Sequence, residues 1–152
     1  MMQTGNVMAM AQIRGSSSYP QIQGTALFRQ TPDGVLVTIE VSGLPDSKKC
    51  DSGIFALHIH EGENCTGNEK DAFADTGGHY NPKDCPHPYH AGDLPPLWGN
   101  HGYAYMSVLT DRFRVRDVVG RTIIIHSAPD DFKTQPSGDA GSKIACGTIR
   151  FR

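Results

Sequence analysis

The sequence predicts an all-β domain, an antiparallel sandwich or barrel, and three observations carry that prediction. Short runs alternate apolar and polar residues, and no segment long enough for an ordinary helix holds a 3.6-residue period. In addition, 17 glycines and 10 prolines punctuate the 152 residues. Taken in order, residues 1–10, which hold Met1, Met2, Met8 and Met10, read as a disordered start. Residues 23–30 (QGTALFRQ) and 35–41 (VLVTIEV) flank TPDG, a turn sequence suited to a hairpin. In the second run Val35, Val37, Ile39 and Val41 share one face and Thr38 and Glu40 the other, the pattern of a half-buried strand. Residues 54–60 (IFALHIH), 102–108 (GYAYMSV), 123–126 (IIIH) and 145–151 are further strands. Between them lie two irregular stretches, 61–94 and 127–143, dense in Gly, Pro, Asp, Asn and Lys. Loops beyond about 12–15 residues are uncommon in compact domains and are usually functional or disordered.

Length and composition set bounds. The chain is expected to form a single domain over 1–152, large enough for a sizeable core. A net charge of -2 and a pI near 6.4 give no general affinity for nucleic acid or anionic membranes. No apolar run approaches the roughly 20 residues of a membrane span. The first residues lack a basic start and a continuous apolar stretch, so they do not read as a signal peptide. A cytoplasmic location is expected from the sequence as written, and a periplasmic or extracellular one if an export segment has been removed. Four cysteines, Cys50, Cys65, Cys85 and Cys146, form no CxxC pair, which argues against a thiolate zinc ribbon and permits two disulfides, one or none.

The seven histidines are the most informative residues. His58 and His60 stand at i and i+2 on an extended run, so both rings leave one face of the sheet while Ile59 turns to the core. His126 closes the apolar run TIIIH and would present a third ring from a rigid strand. His79 lies in GGHYNP, and HPYHAGD supplies His87, His90 and Asp93. Neutral imidazole suits copper and zinc, and a carboxylate suits zinc as a fourth partner. Seven such groups fill two metal sites if one imidazole is shared. A lone histidine is more often an ordinary core or surface residue; six in this spacing are not. His101, in the turn sequence WGNHGY, reads as a surface residue, and Trp98, Tyr103 and Tyr105 as packing residues.

The segments LHIHEGENC, GGHYNP, HAGDLP, VVGRTIIIH, the DD that follows and GDAGSKIACG together resemble the copper/zinc superoxide dismutase family, of bacterial type. They run in the family's order from about residue 57 to 149. The resemblance implies a Greek-key, immunoglobulin-like sandwich or flattened eight-stranded barrel with two long functional loops. It implies that His58, His60, His79 and His126 hold copper, and that His79 bridges to a zinc held also by His87, His90 and Asp93. It pairs Cys65 with Cys146 and makes Asp130 the outer carboxylate that links a copper histidine to a zinc histidine. The implied activity is dismutation of superoxide to dioxygen and hydrogen peroxide, with copper cycling between Cu(II) and Cu(I). His79 would serve as the proton-delivering group. The implied partner is superoxide as substrate, with no nucleic acid or membrane and with a homodimer among the assemblies such proteins adopt.

Three departures from the family pattern bear on function. His87 and His90 are only three apart, which shortens the zinc loop, and Pro88 biases His87 toward an extended backbone. The alternative to a full zinc set there is a weak site completed by water. Residues 127–143 are shorter than the usual guiding loop. Lys143 stands where the family commonly has a channel arginine, keeping the charge but not the guanidinium fork. Lys133 is an alternative guide that reads better as a solvated lysine, and Arg121 is implied to be structural. Cys50 and Cys85 have no family counterpart; a second disulfide between them would brace the truncated loop. The competing function is a non-catalytic copper/zinc-binding module of the same fold, although neither a missing copper ligand nor an added CxxC or Met-rich motif marks one. A zinc hydrolase would need an open zinc position and a placed base, for which only Glu61 is near.

Overall fold

Alternation of inward apolar and outward polar residues organises most of the structure. The computed structural model describes residues 7–46, 49–50 and 52–152. Eight strands carry the fold: β1 (Met8–Gly15), β2 (Gln23–Thr31), β3 (Gly34–Ser42), β4 (Ile54–His60), β5 (Asp93–Trp98), β6 (Ala104–Thr110), β7 (Thr122–His126) and β8 (Lys143–Phe151). All pairings are antiparallel, in the order β5-β4-β7-β8-β1-β2-β3-β6. The outermost strands β5 and β6 lie against each other, which closes the sheet into a flattened barrel. The β3–β4 and β6–β7 connections cross between non-adjacent strands, a Greek-key topology. Among the described residues no helix is long and apolar enough to cross a membrane.

The barrel interior is filled by alternate residues. Val35, Val37, Ile39 and Val41 of β3 are buried, opposite Ala26 and Phe28 of β2 and Ala9, Ala11 and Ile13 of β1. Two strands break the alternation because both of their faces are covered. Every residue of β7 is buried, as is all of β4 after Ile54. Ile59, Ile123 and Ile125 face the barrel core, while Ile124 packs outward against Phe73, Cys146 and Cys65. Residues 61–92 lie over that outer face, so the continuous run TIIIH and the buried HIH share one cause. A 3-10 turn, Ala74–Thr76, gives the loop its only regular element.

The structure corrects several expectations. Met8–Met10 are not part of a disordered start: β1 begins at Met8 and pairs with both β2 and β8. Residues 1–6 lie outside the described residues. Two prolines in DLPPLW hide β5, since proline cannot donate to a ladder; the strand survives because it sits at the end of the strand order. Trp98 and Tyr105 are not packing residues but are 68% and 60% exposed, and Tyr103 reaches out to Glu40 at 3.0 Å. Cys65 and Cys146 form a disulfide with a Cα–Cα distance of 5.8 Å. Cys50 and Cys85 do not: both are free thiols. Cys50 precedes the Ile54 end of β4, whereas Cys85 is tied to Asn81 beyond the His60 end. A seven-residue strand spans roughly 20 Å, far more than a disulfide bridges.

Candidate metal centre

Strand geometry delivers the first cluster of rings. His58 and His60 leave the outer face of β4, and the neighbouring strand β7 ends in His126. His79 is brought alongside by an antiparallel bridge to His60. His58 Nδ1 lies 3.0 Å from His126 Nε2, and His60 Nε2 lies 3.3 Å from the same atom. His79 Nε2 is buried with no hydrogen-bond partner. The four residues each place a ring nitrogen within 4.8 Å of the others. Imidazoles that face one another this way compete for too few protons, because each contact needs one donor and one acceptor and His126 Nε2 serves two rings. A cation that accepts their lone pairs resolves the conflict, and an all-imidazole set suits copper.

A second cluster shares one ring with the first. His79 Nδ1 lies 2.8 Å from Asp93 Oδ1 and 3.1 Å from His90 Nδ1. Asp93 Oδ2 faces His87 Nδ1 at 3.0 Å and His90 Nδ1 at 3.2 Å. His58 also falls within 4.8 Å of His79, His87 and Asp93, but its two nitrogens already face His126 and Asp130. His90 is therefore the better fourth member. Three imidazole nitrogens and a carboxylate form a zinc-type donor set. The HPYH stretch thus turns both of its rings inward despite its length.

Asp130 spans the two clusters from behind. Its Oδ2 meets His58 Nε2 at 2.8 Å and its Oδ1 meets His87 Nε2 at 2.8 Å, while the Phe132 N–H donates to Oδ1 at 2.8 Å. These contacts leave Nδ1 of both rings pointing into the clusters. Gly138, at φ +74°, packs on this link; a Cβ there would come within 2.0 Å of Asp130 Oδ1 and 2.6 Å of His87 Nε2.

Burial sets the protonation states. Desolvation lowers the pKa of His58, His60 and His90, and it pushes His126 down to about 2, with His58 and His79 adding to that shift. Burial alone would raise Asp130 and Asp93, but hydrogen bonds from His58 and His87 to the first, and from His79 to the second, hold both below the usual range. The rings of His58, His60, His90 and His126 are therefore neutral and the two carboxylates charged at pH 7, as metal ligands must be. Both kinds of group have folded pKa values below their unfolded ones. In the metal-free protein the unfolded state thus binds more protons in acid, so stability rises with pH. The histidine contribution is intact above about pH 6.5 and is lost as pH falls toward the folded values; the carboxylate contribution follows below about pH 4. Calorimetry of chelator-treated protein should show a melting temperature that drops steadily from pH 7 to pH 4. A flat profile would contradict the assignment.

His60, His79, His90 and His126 border an open cavity of about 720 Å³ whose mouth carries Lys70, Lys143, Glu69 and Asp71. Lys143 is fixed rather than free: Nζ donates to the carbonyls of Phe73 at 3.2 Å and Gly77 at 3.4 Å and pairs with Asp71 Oδ2 at 3.1 Å. The Gly77 carbonyl also accepts from His60 Nδ1 at 2.8 Å, so one backbone oxygen connects the channel cation to a cluster ring. Arg121 is bound to the carbonyls of Asp117 and Glu61 and stacks on Tyr80 at 4.1 Å, a structural role. Lys133 is exposed, and His101 stands at the surface 3.6 Å from Asp46. Sequence reasoning missed Gln135, which grips the His87 backbone, and Arg112, which donates to the carbonyls of Pro88 and His90.

A Greek-key barrel whose outer face carries two donor clusters joined through one imidazole defines a two-metal β-barrel protein. The comparisons give the family. A sequence model of copper/zinc superoxide dismutase matches residues 22–149. The Cu-Zn superoxide dismutase of Deinococcus radiodurans is 35% identical over 148 residues, covering 86% of this chain and 78% of the relative. That of Pasteurella multocida is 36% identical over 134 residues, covering 76% and 72%, and that of Legionella pneumophila 32% over 139, covering 86% and 80%. This chain belongs to the copper/zinc superoxide dismutase family.

Proposed function

We propose that the chain dismutes superoxide, two superoxide anions and two protons giving one dioxygen and one hydrogen peroxide. His58, His60, His79 and His126 are the copper donors; His79, His87, His90 and Asp93 are the zinc donors. Copper supplies the one-electron chemistry between Cu(II) and Cu(I), and zinc supplies a fixed positive charge that sets the basicity of His79. The observation that carries this reading is the placement of His79: Nε2 faces the first cluster without a partner, and Nδ1 faces Asp93 and His90.

The residues then divide the work. Nε2 of His79 would serve in turn as a donor to copper and, when not so bound, as the holder of a proton that it passes to the reduced oxygen anion as general acid. Asp130 keeps the His58 and His87 rings in one tautomer and one orientation. Lys143 draws the anion into the cavity, and Asp71, 3.1 Å away, moderates that charge. Replacing Asp71 with asparagine should raise kcat/KM a few-fold at low ionic strength, with the gain disappearing near 1 M salt, where the screening length falls to about 3 Å. Stopped-flow rates across a salt series would check this, and no gain at low salt would contradict it. The Cys65–Cys146 disulfide supports residence in an oxidising compartment.

Metal analysis combined with a superoxide-scavenging assay tests the function. One copper and one zinc per chain with fast scavenging is expected. Copper bound at stoichiometry without activity would overturn the enzyme reading in favour of a binding module.

A further inference from the structure

We propose that Gln135 and Arg112 position the zinc-side ligands by gripping the backbone of the short HPYH loop from outside it; this rests on the zinc donor set proposed above. The loop has few backbone partners of its own, chiefly Tyr89 N–H to Pro86 C=O at 2.8 Å and Asp93 N–H to His90 C=O at 3.1 Å. The peptide groups on either side of His87 are met instead by one side chain. Gln135 Oε1 accepts from the His87 N–H at 2.9 Å, and Nε2 donates to the His87 C=O at 2.8 Å. The second Nε2 hydrogen goes to the Lys133 C=O at 3.1 Å, so the amide uses its oxygen and both of its hydrogens.

Gln135 is itself held. Asp131 Oδ1 accepts from the N–H groups of Lys133 and Thr134 at 2.9 and 2.8 Å, which fixes the turn just before it. Asp130, from the same segment, takes His87 Nε2. His87 is therefore held at two points: its ring by Asp130 and its backbone by Gln135. What remains is Nδ1, aimed at Asp93 Oδ2. Arg112, just beyond β6, completes the arrangement from the other side, its Nη1 donating to the carbonyls of Pro88 at 2.9 Å and His90 at 3.2 Å. Proline 88 offers no N–H, so that carbonyl is the only backbone group the residue brings.

The mechanism differs from simple bracing. A metal ligand displaced by a few tenths of an ångström loses affinity for the metal even when the fold is intact, and partners behind the ligands commonly affect metal affinity 10- to 100-fold. Gln135→Ala removes both backbone contacts. Gln135→Glu keeps the acceptor for the His87 N–H but sets an oxygen against the His87 C=O. Arg112→Lys keeps a charge but replaces the planar guanidinium, whose one Nη1 donates to both carbonyls, with a shorter, freely rotating ammonium.

The test is competition for zinc between the copper- and zinc-loaded full chain and a chromophoric chelator, together with the visible spectrum of cobalt(II) placed at the zinc side. Zinc binding should weaken about 10-fold or more in Gln135→Ala and by an intermediate amount in Gln135→Glu and Arg112→Lys. The cobalt spectrum should change in the same order, while copper retention stays within about two-fold of the parent. Zinc affinity and cobalt spectra unchanged within about two-fold would overturn the proposal. Equal losses of copper and zinc together with a lowered melting temperature would also overturn it, since that is what a general brace produces. If Gln135→Ala does not fold, Gln135→Glu and Arg112→Lys decide the question by the same criteria. A parent protein that binds no zinc sinks the zinc assignment, and this proposal with it, whereas zinc-binding parent and variants that behave alike sink this proposal alone.

Discussion

Replacing His79 with alanine is expected to abolish dismutation, the largest effect of any single substitution in this chain. Other donors serve one cluster each, but this ring faces both. Its Nε2 is a buried atom without a partner on the side of His58, His60 and His126, and its Nδ1 is 2.8 Å from Asp93. Alanine would remove one donor from each set and would strip Asp93 of its principal hydrogen bond in a site where Asp93 is only 9% exposed. Loss of a placed general acid alone costs roughly 10²–10⁴-fold in rate. Scavenging rates on protein reloaded with both metals, with metal content measured in parallel, would test it. His101→Ala is the control, since that ring is exposed and follows the Trp98 end of β5, which pairs with Ile54, whereas the donors sit at the opposite, His58–Asp93 end of the same strand pair. A His79→Ala protein retaining more than about a tenth of the parent rate would contradict both the sharing of the ring and its proton role.

The same ring shows how much of the site was legible in the sequence. Strand periodicity alone places His58 and His60 on one face and Ile59 on the other, and β4 has that arrangement. His126 at the end of an apolar run and the carboxylate at 130 could likewise be placed through the family motifs. Elements written in residues of low strand preference were illegible. Ala9 and Ala11 line the barrel in β1, yet alanine carries little strand signal, and the prolines of β5 argue against a strand that position in the order permits. Contacts between loops were also hidden, because Gln135 with His87 and Asp71 with Lys143 are separated by 48 and 72 positions and leave no periodicity. The same blindness produced the mistaken pairing of Cys50 with Cys85: two unassigned cysteines carry no information about distance.

Removing the one disulfide is expected to give the largest loss of stability. Cys65 and Cys146 are 81 positions apart, and a cross-link of that span restricts the unfolded chain by roughly 4–5 kcal/mol in the chain-entropy model, with measured losses commonly about 2–5 kcal/mol. For a chain of this size each kcal/mol corresponds to about 2–4 °C, so a Cys65→Ser, Cys146→Ser protein should melt on the order of 10 °C lower. The effect should also reach function, because the bond anchors the loop over β7. Beside it Phe73 packs on Ile124 and Cys146, and the carbonyls of Phe73 and Gly77, from the same loop, hold Lys143. Gly77 also fixes His60 through Nδ1, and His79 follows two residues later. A loosened loop therefore releases a copper donor, the shared ring and the channel cation together. Scanning calorimetry, metal retention and thiol titration separate these levels. The parent should show two free thiols when denatured without reductant and four after reduction. The double serine variant should melt lower, retain less metal and scavenge more slowly, and a melting temperature within about 2 °C of the parent would contradict the expected loss of stability.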